Sequence, residues 1–142
     1  MAGQDGIEER ITAVRRRDRR FARNAYEFIL DALDHTMVTL GKDSKTGEDR
    51  HVGGTELLEG IRDLASSQFG PMAALVFQRW GIRNPEDFGE IVFNLVDIGL
   101  LSRRAEDSRL DFSTDQDFSA DFEQRHRERL EAISRSVPQH AV

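Results

Sequence analysis

The side chains best suited to proton transfer or metal binding are four histidines. They are His35, His51, His126 and His140. Imidazole titrates near neutrality and a nearby carboxylate can orient it, so His51 with Glu56 is a candidate acid–base pair. A second candidate is His35 with Asp31 or Asp34. Because such pairs also arise by chance in a chain with 32% charged residues, we favour a capping or packing role for His51.

The motifs that would indicate a cofactor are absent from the sequence. The chain has no cysteine, no HExxH, CxxC or EF-hand pattern, and no histidine with a second ligand at metal-site spacing. The GxSxG, GxxxxGKS/T and GxGxxG patterns of hydrolases and nucleotide-binding proteins are missing as well. We therefore predict no metal and no cofactor.

Residues 50–54 form a candidate site for an anion or another partner. Arg50 and His51 supply positive charge, and Gly53 and Gly54 precede a predicted helix whose free N–H groups attract anions. The alternative is that the two glycines only form a turn, and we favour this alternative. Arg50, His51, Gly53 and Gly54 are accordingly the candidate interaction residues.

An arginine-rich segment over residues 15–23 is the candidate for contact with a polyanion. Its basic members are Arg15, Arg16, Arg17, Arg19, Arg20 and Arg23. Such a cluster could bind RNA or DNA phosphates in a sequence-independent, salt-sensitive manner. An acidic block occupies residues 106–123, so the two blocks could instead pair within or between chains. We favour the simplest interpretation, in which both are solvated surfaces.

The elements that must position these residues are helices, and the stretch 69–101 has the clearest pattern. Apolar residues at three- and four-residue spacing predict a helix over 71–80 that ends at Gly81. Its predicted core-facing stripe is Met72, Leu75, Val76 and Trp80. A second helix over 85–98 ends at Gly99. Because the link between the two helices is so short, the pair resembles a helix-turn-helix.

The helix over 85–98 carries charges of one sign only. They are Glu86, Asp87, Glu90 and Asp97. A recognition helix that enters the major groove of DNA needs hydrogen-bond donors and must approach phosphates. Nucleic-acid contact is therefore disfavoured for this helix.

Further helices flank the central pair. The apolar periodicity over 21–40 predicts a helix that packs on the pair, and a similar pattern predicts a helix over 55–69. Trp80 should then be a core anchor, enclosed by the helix over 85–98 and by the Phe28 face of the helix over 21–40. A last helix begins at Phe118, docks by its first turn and then projects.

Residues 100–113 are the least certain element, with two interpretations. We favour a small β-hairpin, because apolar and polar residues alternate over 109–113. The rival is a short helix opened by a capping box of Ser108 and Asp111. The predicted fold is thus mainly α, with five to six helices, a winged helix-turn-helix-like centre and a small β-hairpin near 100–113.

Length and composition predict one domain with polar extensions. With 142 residues, of which 38% are hydrophobic, the chain can form one modest core. We place a basic segment, flexible or short helical, at 1–20, a helical core domain at 21–122, and a projecting charged helix with a frayed tail at 123–142. The sequence has no signal peptide and no apolar run of transmembrane length, which predicts a cytoplasmic protein without membrane contact.

A combination of short motifs resembles a known family. The motifs are Arg50-His51-Val52, Glu56-Leu57, Gly60, Phe69-Gly70, Trp80-Gly81-Ile82, Asp87-Phe88-Gly89, Ile91-Val92-Phe93, Asp107-Ser108 and Asp111-Phe112. Together they are similar to a family of short bacterial hypothetical proteins restricted to planctomycetes, verrucomicrobia and their relatives. The similarity covers residues 20–122. It implies no activity, because that family has no assigned function.

Three hypotheses for function follow from these patterns. The leading one is a non-enzymatic protein-interaction module whose partner is another protein. The second is a nucleic-acid-associated regulator that uses the arginine-rich segment, and the third is an enzyme with His51 as its acid or base. The sequence does not predict an oligomeric state.

Overall fold

A computed structural model describes residues 4–102, Phe112 and residues 118–136 of the chain. Helical residues make up 78% of this described part, which contains no β-strand. The α-helices are α1 Gln4–Arg17, α2 Arg23–Thr39, α3 Gly54–Phe69, α4 Ala73–Arg79, α5 Glu86–Asp97 and α6 Phe118–Ser136. Short 3-10 helices cover Gly47–Arg50 and Gly70–Met72. The predicted mainly α class is confirmed.

The β-hairpin predicted near 100–113 is wrong for its described residues. The N–H groups of Leu100 and Leu101 both donate to the carbonyl oxygen of Leu95, at 2.9 and 3.3 Å. These groups therefore close the last turn of α5 and are not available to pair with a strand. Phe112 lies in a 3-10 turn. Residues 103–111, with the alternative capping box, lie outside the described residues.

Two glycines end the central helices where the sequence predicts. Gly81 has φ +91° and Gly99 has φ +78°, a backbone conformation that disfavours other residues. The N–H of Gly81 donates to the Gln78 carbonyl oxygen and the N–H of Ile82 to that of Phe77. This bonding pattern is a Schellman motif, and it fixes where α4 ends.

The core is built on Phe77 of α4. This fully buried ring contacts five other aromatic rings at centroid distances of 5.1 to 6.1 Å. They are Phe28, Trp80, Phe88, Phe118 and Phe122. Because these rings come from α2, α5 and α6 as well as from the end of α4, one cluster joins four segments of the chain.

The core-facing stripe predicted for the helix over 71–80 is wrong at Met72 and Leu75. Met72 and Leu75 are 54% and 53% exposed, whereas Ala73 and Phe77 are fully buried. The short helix is apolar on nearly all sides, so helical spacing alone fits either set of residues. The aromatic rings of α6 decide which set faces inward.

Trp80 is a partly buried packing residue. Its ring lies 5.6 Å from that of Phe28 and 5.7 Å from that of Phe69. The contact with Phe28 agrees with the prediction from sequence. The other recorded ring contacts come from α3 and α4, with none from α5 within the described part of the chain.

Helix α1 belongs to the same core. Ile11 and Val14 are almost completely buried in the cluster that also holds Phe21 and Tyr26. The segment over 1–20 therefore includes a 14-residue helix packed on α2.

Helix α6 docks by its first half. Phe118 and Phe122 enter the aromatic cluster, and Arg125 forms an ion pair with Glu59 of α3 at 2.8 Å. Arg129, further along, donates to the Ser66 carbonyl oxygen of α3 at 2.8 Å. Beyond it the helix projects, and Leu130 and Ile133 are about half exposed.

Helices α2 and α3 approach each other closely at Gly60. A Cβ atom at this position would lie only 1.7 Å from Oγ1 of Thr36. The Thr36 hydroxyl donates to the Ala32 carbonyl oxygen at 2.7 Å, which fixes its orientation. No larger residue fits at position 60 while the two helices keep this distance.

Candidate binding groove

A concave site lies between α2 and α5, beside the N-terminus of α3. It is an open groove of about 370 Å³. The described residues that line it are predominantly apolar and come from segments far apart in the sequence. We call this site the groove; its lining includes Leu33, Met37, Arg50, His51, Val52, Gly54, Leu57, Gly89, Val92, Phe93, Val96, Leu100, Leu101, Ser102 and Phe112.

One wall of the groove is a continuous face of α5. Gly89, Val92, Phe93 and Val96 lie at spacings of three and four residues, so they share one side of the helix. The Phe93 side chain is 37% exposed. A helix face of this kind, partly open to solvent, can contact a further apolar group.

The opposite wall comes from the second half of α2. Leu33 and Met37 are four residues apart and face α5 across the groove. Met37 has an unbranched, flexible side chain, which adapts to ligands of different shape. Leu57 of α3 is buried and contributes to the same site.

The loop before α3 is held by Lys42 and Glu56. The Lys42 ammonium donates to the His51 carbonyl oxygen at 2.6 Å and lies 3.4 Å from Oε1 of Glu56. The same Oε1 accepts the N–H of Gly53 at 3.0 Å. The Gly53 N–H, together with Lys42, holds the pKa of the Glu56 carboxyl below its usual range.

These contacts bear on the anion site predicted at residues 50–54. The Gly53 N–H that was a candidate donor for an anion is bonded to Glu56, so the chain's own carboxylate occupies that position. Arg50, His51 and Gly54 are brought together as groove-lining residues. Three of the four candidate residues therefore line the groove, whose apolar walls the sequence pattern did not reveal.

Arg50 is anchored at the edge of the groove by one end of its guanidinium. Nη1 donates to the main-chain oxygens of Asp43 and Lys45, at 3.1 and 3.4 Å. The side chain remains exposed. The loop thereby positions a cation beside an apolar surface.

The arginine-rich segment is largely engaged within the molecule. Arg17 forms an ion pair with Asp97 at 2.6 Å, and Arg20 lies 3.7 Å from Glu90. Both acids belong to α5, so the basic segment pairs with this helix among the described residues.

Other arginines of the segment bond to their own neighbourhood. Arg15 Nε donates to the Phe21 carbonyl oxygen at 3.1 Å, and Arg23 Nη2 donates to Thr12 Oγ1 at 2.7 Å. Across the described residues, Arg16 and Arg19 are exposed and make no recorded side-chain polar contact. Two of the six candidate arginines thus extend into solvent.

The polar side of α5 contains a buried network that sequence reasoning missed. Asn94 is 7% exposed and donates to Asp18 Oδ2 at 3.0 Å and to the Tyr26 hydroxyl at 3.1 Å. The Arg20 guanidinium forms two hydrogen bonds to Asp18 and its main-chain N–H forms a third. These bonds, with that from Asn94, hold the pKa of the Asp18 carboxyl well below its usual range. Burial raises the pKa of the Tyr26 hydroxyl. The only signal in the sequence is a lone amide between Phe93 and Leu95.

The other histidine pairing differs from the two candidates. His35 Nε2 lies 2.7 Å from Oδ2 of Asp63 on α3, and neither Asp31 nor Asp34 is its recorded partner in the described chain. This contact is largely exposed. It is an ion pair between neighbouring helices when the imidazole is protonated.

Comparison with other proteins adds no assignment. No family model matches the chain, and no curated protein or solved structure matches it either. Among the described residues, no group of three metal-ligating side chains comes together, and no helix has the length and apolar character needed to cross a bilayer. A proposal for function must therefore rest on the groove.

Proposed function

We propose that the chain is a non-enzymatic protein-interaction module whose groove receives apolar side chains of a partner protein. The observation that carries the proposal is the groove itself, an open site with walls from α2 and α5 and few polar groups. Sites of this size with mostly apolar walls are typical binding sites. Two helices that form opposite walls are typical of grooves that accept a peptide or helix.

The enzyme hypothesis has less support. Glu56, the carboxylate considered as the partner of His51, bonds to the Gly53 N–H and lies beside Lys42. Both contacts lower its pKa, so it is a weak base and acts as a helix cap. His51 contributes to the groove wall instead.

The nucleic-acid hypothesis also has less support. Most arginines of the segment over 15–23 have internal partners, and Glu90 and Asp97 lie beside them, which weakens attraction for phosphates. The helix-turn-helix-like pairing of α4 and α5 stays a prediction. It is supported by the contact between the Phe77 and Phe88 rings, 5.1 Å apart.

We also propose that the chain belongs with the family of short bacterial hypothetical proteins that its motifs resemble. The support is that several motif residues have roles in folding that related chains would share. Glu56 caps α3, Gly60 permits the close approach of α2, and Gly81 ends α4. A family relationship would carry no activity to this chain.

The proposed function is tested by charging the groove. Val92→Arg places a guanidinium on the α5 wall, and Val38→Arg is the matched control because Val38 is 63% exposed on α2 and does not line the groove. Each variant is first checked for wild-type unfolding by urea. A photo-crosslinking residue at position 96, on the α5 wall, then captures bound proteins from cells.

We expect the wild type and Val38→Arg to capture the same proteins and Val92→Arg to lose them. The physical reason is that an arginine in the groove must be desolvated when an apolar partner binds. Equal capture by all three proteins would show that the groove is not the interaction site.

A further inference from the structure

The charge of the groove differs from that of the whole protein. The chain has a net charge of −6, yet none of the described residues that line the groove is acidic, and Arg50 is the fixed charge among them. A basic partner would therefore meet a like charge at this site, whereas an acidic partner would meet an opposite one.

Arg50 is arranged to receive a carboxylate. Its Nη1 is held by two main-chain oxygens, from Asp43 and Lys45. Within the described part of the chain, Nε and Nη2 make no recorded hydrogen bond and can donate side by side. Two parallel N–H groups match the two oxygens of a carboxylate, and a guanidinium that is already positioned loses less side-chain entropy on binding.

The shape of the groove indicates the form of the partner. The α5 wall runs from Gly89 to Val96, a rise of about 10 Å at 1.5 Å per residue, which is about two helical turns. Leu33 and Met37 form the facing wall at helical spacing. An amphipathic helix presents apolar side chains at matching intervals and can lie between two such walls.

We infer that the groove binds an acidic amphipathic helix of a partner protein, with the apolar face of that helix between α2 and α5 and one of its carboxylates on Arg50. This inference rests on the proposed function and names the chemistry of the partner. It assigns Arg50 to partner selection and Val92 and Met37 to apolar contact.

The experiment is a selection from a displayed library of helical peptides about 14 residues long, which is about four turns. Each peptide carries a fixed leucine face, and the flanking positions vary among Glu, Lys and Gln. The baits are the folded wild-type chain, Arg50→Glu, Val92→Arg and Arg79→Glu. Arg79 is an exposed arginine on α4 that does not line the groove, so it controls for the same change in net charge.

We expect Glu to be enriched over Lys at one flanking position about fivefold with the wild type and with Arg79→Glu, as for one partly exposed ion pair. The preference should reverse with Arg50→Glu, and Val92→Arg should retain few peptides of any charge.

Two contrary results are distinguishable. If peptides bind in a manner that Val92→Arg abolishes but show no acidic preference, the groove is an interaction site and the inference about acidic partners is wrong. If the wild type retains no more peptide than Val92→Arg, the inference is overturned together with the proposed use of the groove.

Discussion

Helix α5 has a polar side and an apolar side, which differ in whether the rest of the chain covers them. On one side Glu90, Asn94 and Asp97 meet partners from the N-terminal segment of the same chain. On the other side Val92 and Phe93 line the open groove. The polar side is closed by the protein itself, and the apolar side remains accessible.

This difference is the opposite of what the charge pattern of the sequence suggests. The acids of α5 and the arginines near the N-terminus look like surfaces for outside partners, yet many of them bond to each other. Buried or paired polar groups fix the position of α1 and α2 on α5, because each needs a specific partner. Val92 packs on the core and is only partly buried, so the apolar groove keeps surface open to a further contact.

The largest expected loss of stability comes from Phe88, the residue of α5 that packs in the aromatic cluster. Phe88→Ala should lower the free energy of unfolding by about 3–5 kcal/mol, because its fully buried ring contacts Phe77 and Phe118 and its removal leaves a cavity. Phe93→Ala, on the groove wall, should cost about 1 kcal/mol, since only part of its ring is buried. Urea unfolding measures both. Equal costs would mean that the groove wall is as enclosed as the core.

A substitution in the buried network on the polar side of α5 should lower the free energy of unfolding more than one on an exposed surface. Asn94→Ala removes hydrogen bonds to Asp18 and Tyr26 and leaves buried polar atoms unsatisfied, so it should lower the free energy of unfolding by about 2 kcal/mol. The control is Asn24→Ala, because Asn24 is exposed at the start of α2, and its effect should stay within about 0.5 kcal/mol. If the two variants had the same stability, the network would have no structural role.

Acid should reduce the stability that Asp18 contributes on the polar side of α5. The pKa of Asp18 in the folded chain lies below its unfolded value of about 3.9, so its stabilisation is present above that value and is lost as the pH falls below it. Asp18→Asn should be less stable than the wild type by about 1 kcal/mol at pH 7, and the difference should shrink steadily as the pH falls below about 3.9. Urea unfolding at several pH values gives both curves. A difference in stability between the two proteins that stays constant across this pH range would contradict the role given to Asp18. The variant should still lose some stability in acid, because the pKa of Glu56 is also lowered in the folded chain.

The smallest effect is expected at the rim of the polar side. Arg17 and Asp97 are 56% and 45% exposed, so Arg17→Ala should change the free energy of unfolding by no more than about 0.5 kcal/mol. The change should shrink further in 0.5 M salt, roughly the regime in which exposed charges are screened within about 4 Å. A larger, salt-independent loss would indicate that this ion pair is part of the buried network.

The helices could be predicted from sequence because their signals are local. Gly81 and Gly99 end α4 and α5, and Glu56 caps α3 three residues after Gly53. Each signal acts over fewer than about six residues, the span of a cap. The hairpin was predicted wrongly because Leu100, which looks like the start of a strand, closes the last turn of α5.

The groove could not be predicted because it depends on how distant segments meet. Arg50 and His51 were identified from their charge beside a helix start, but Leu33 and Val92 join them only after α2 and α5 have packed. Which face of α4 is buried could not be predicted either, since Leu75 and Phe77 both fit helical spacing and only packing against α6 distinguishes them. Apolar periodicity identifies a helix, whereas which face of the helix is buried depends on packing in the whole fold.

The close approach of α2 and α3 restricts which pairs of residues can occupy positions 36 and 60. Because a Cβ at position 60 would collide with Thr36, the two positions cannot change independently while the helices keep their spacing. Related chains should therefore show covariation, with glycine at position 60 wherever position 36 is threonine or larger, and with alanine or serine at 60 only where 36 is glycine or alanine. Leu33 and Met37 lie on the same helix as Thr36, so a coupled change at 36 and 60 that shifts α2 would also shift one wall of the groove without replacing a residue that lines it.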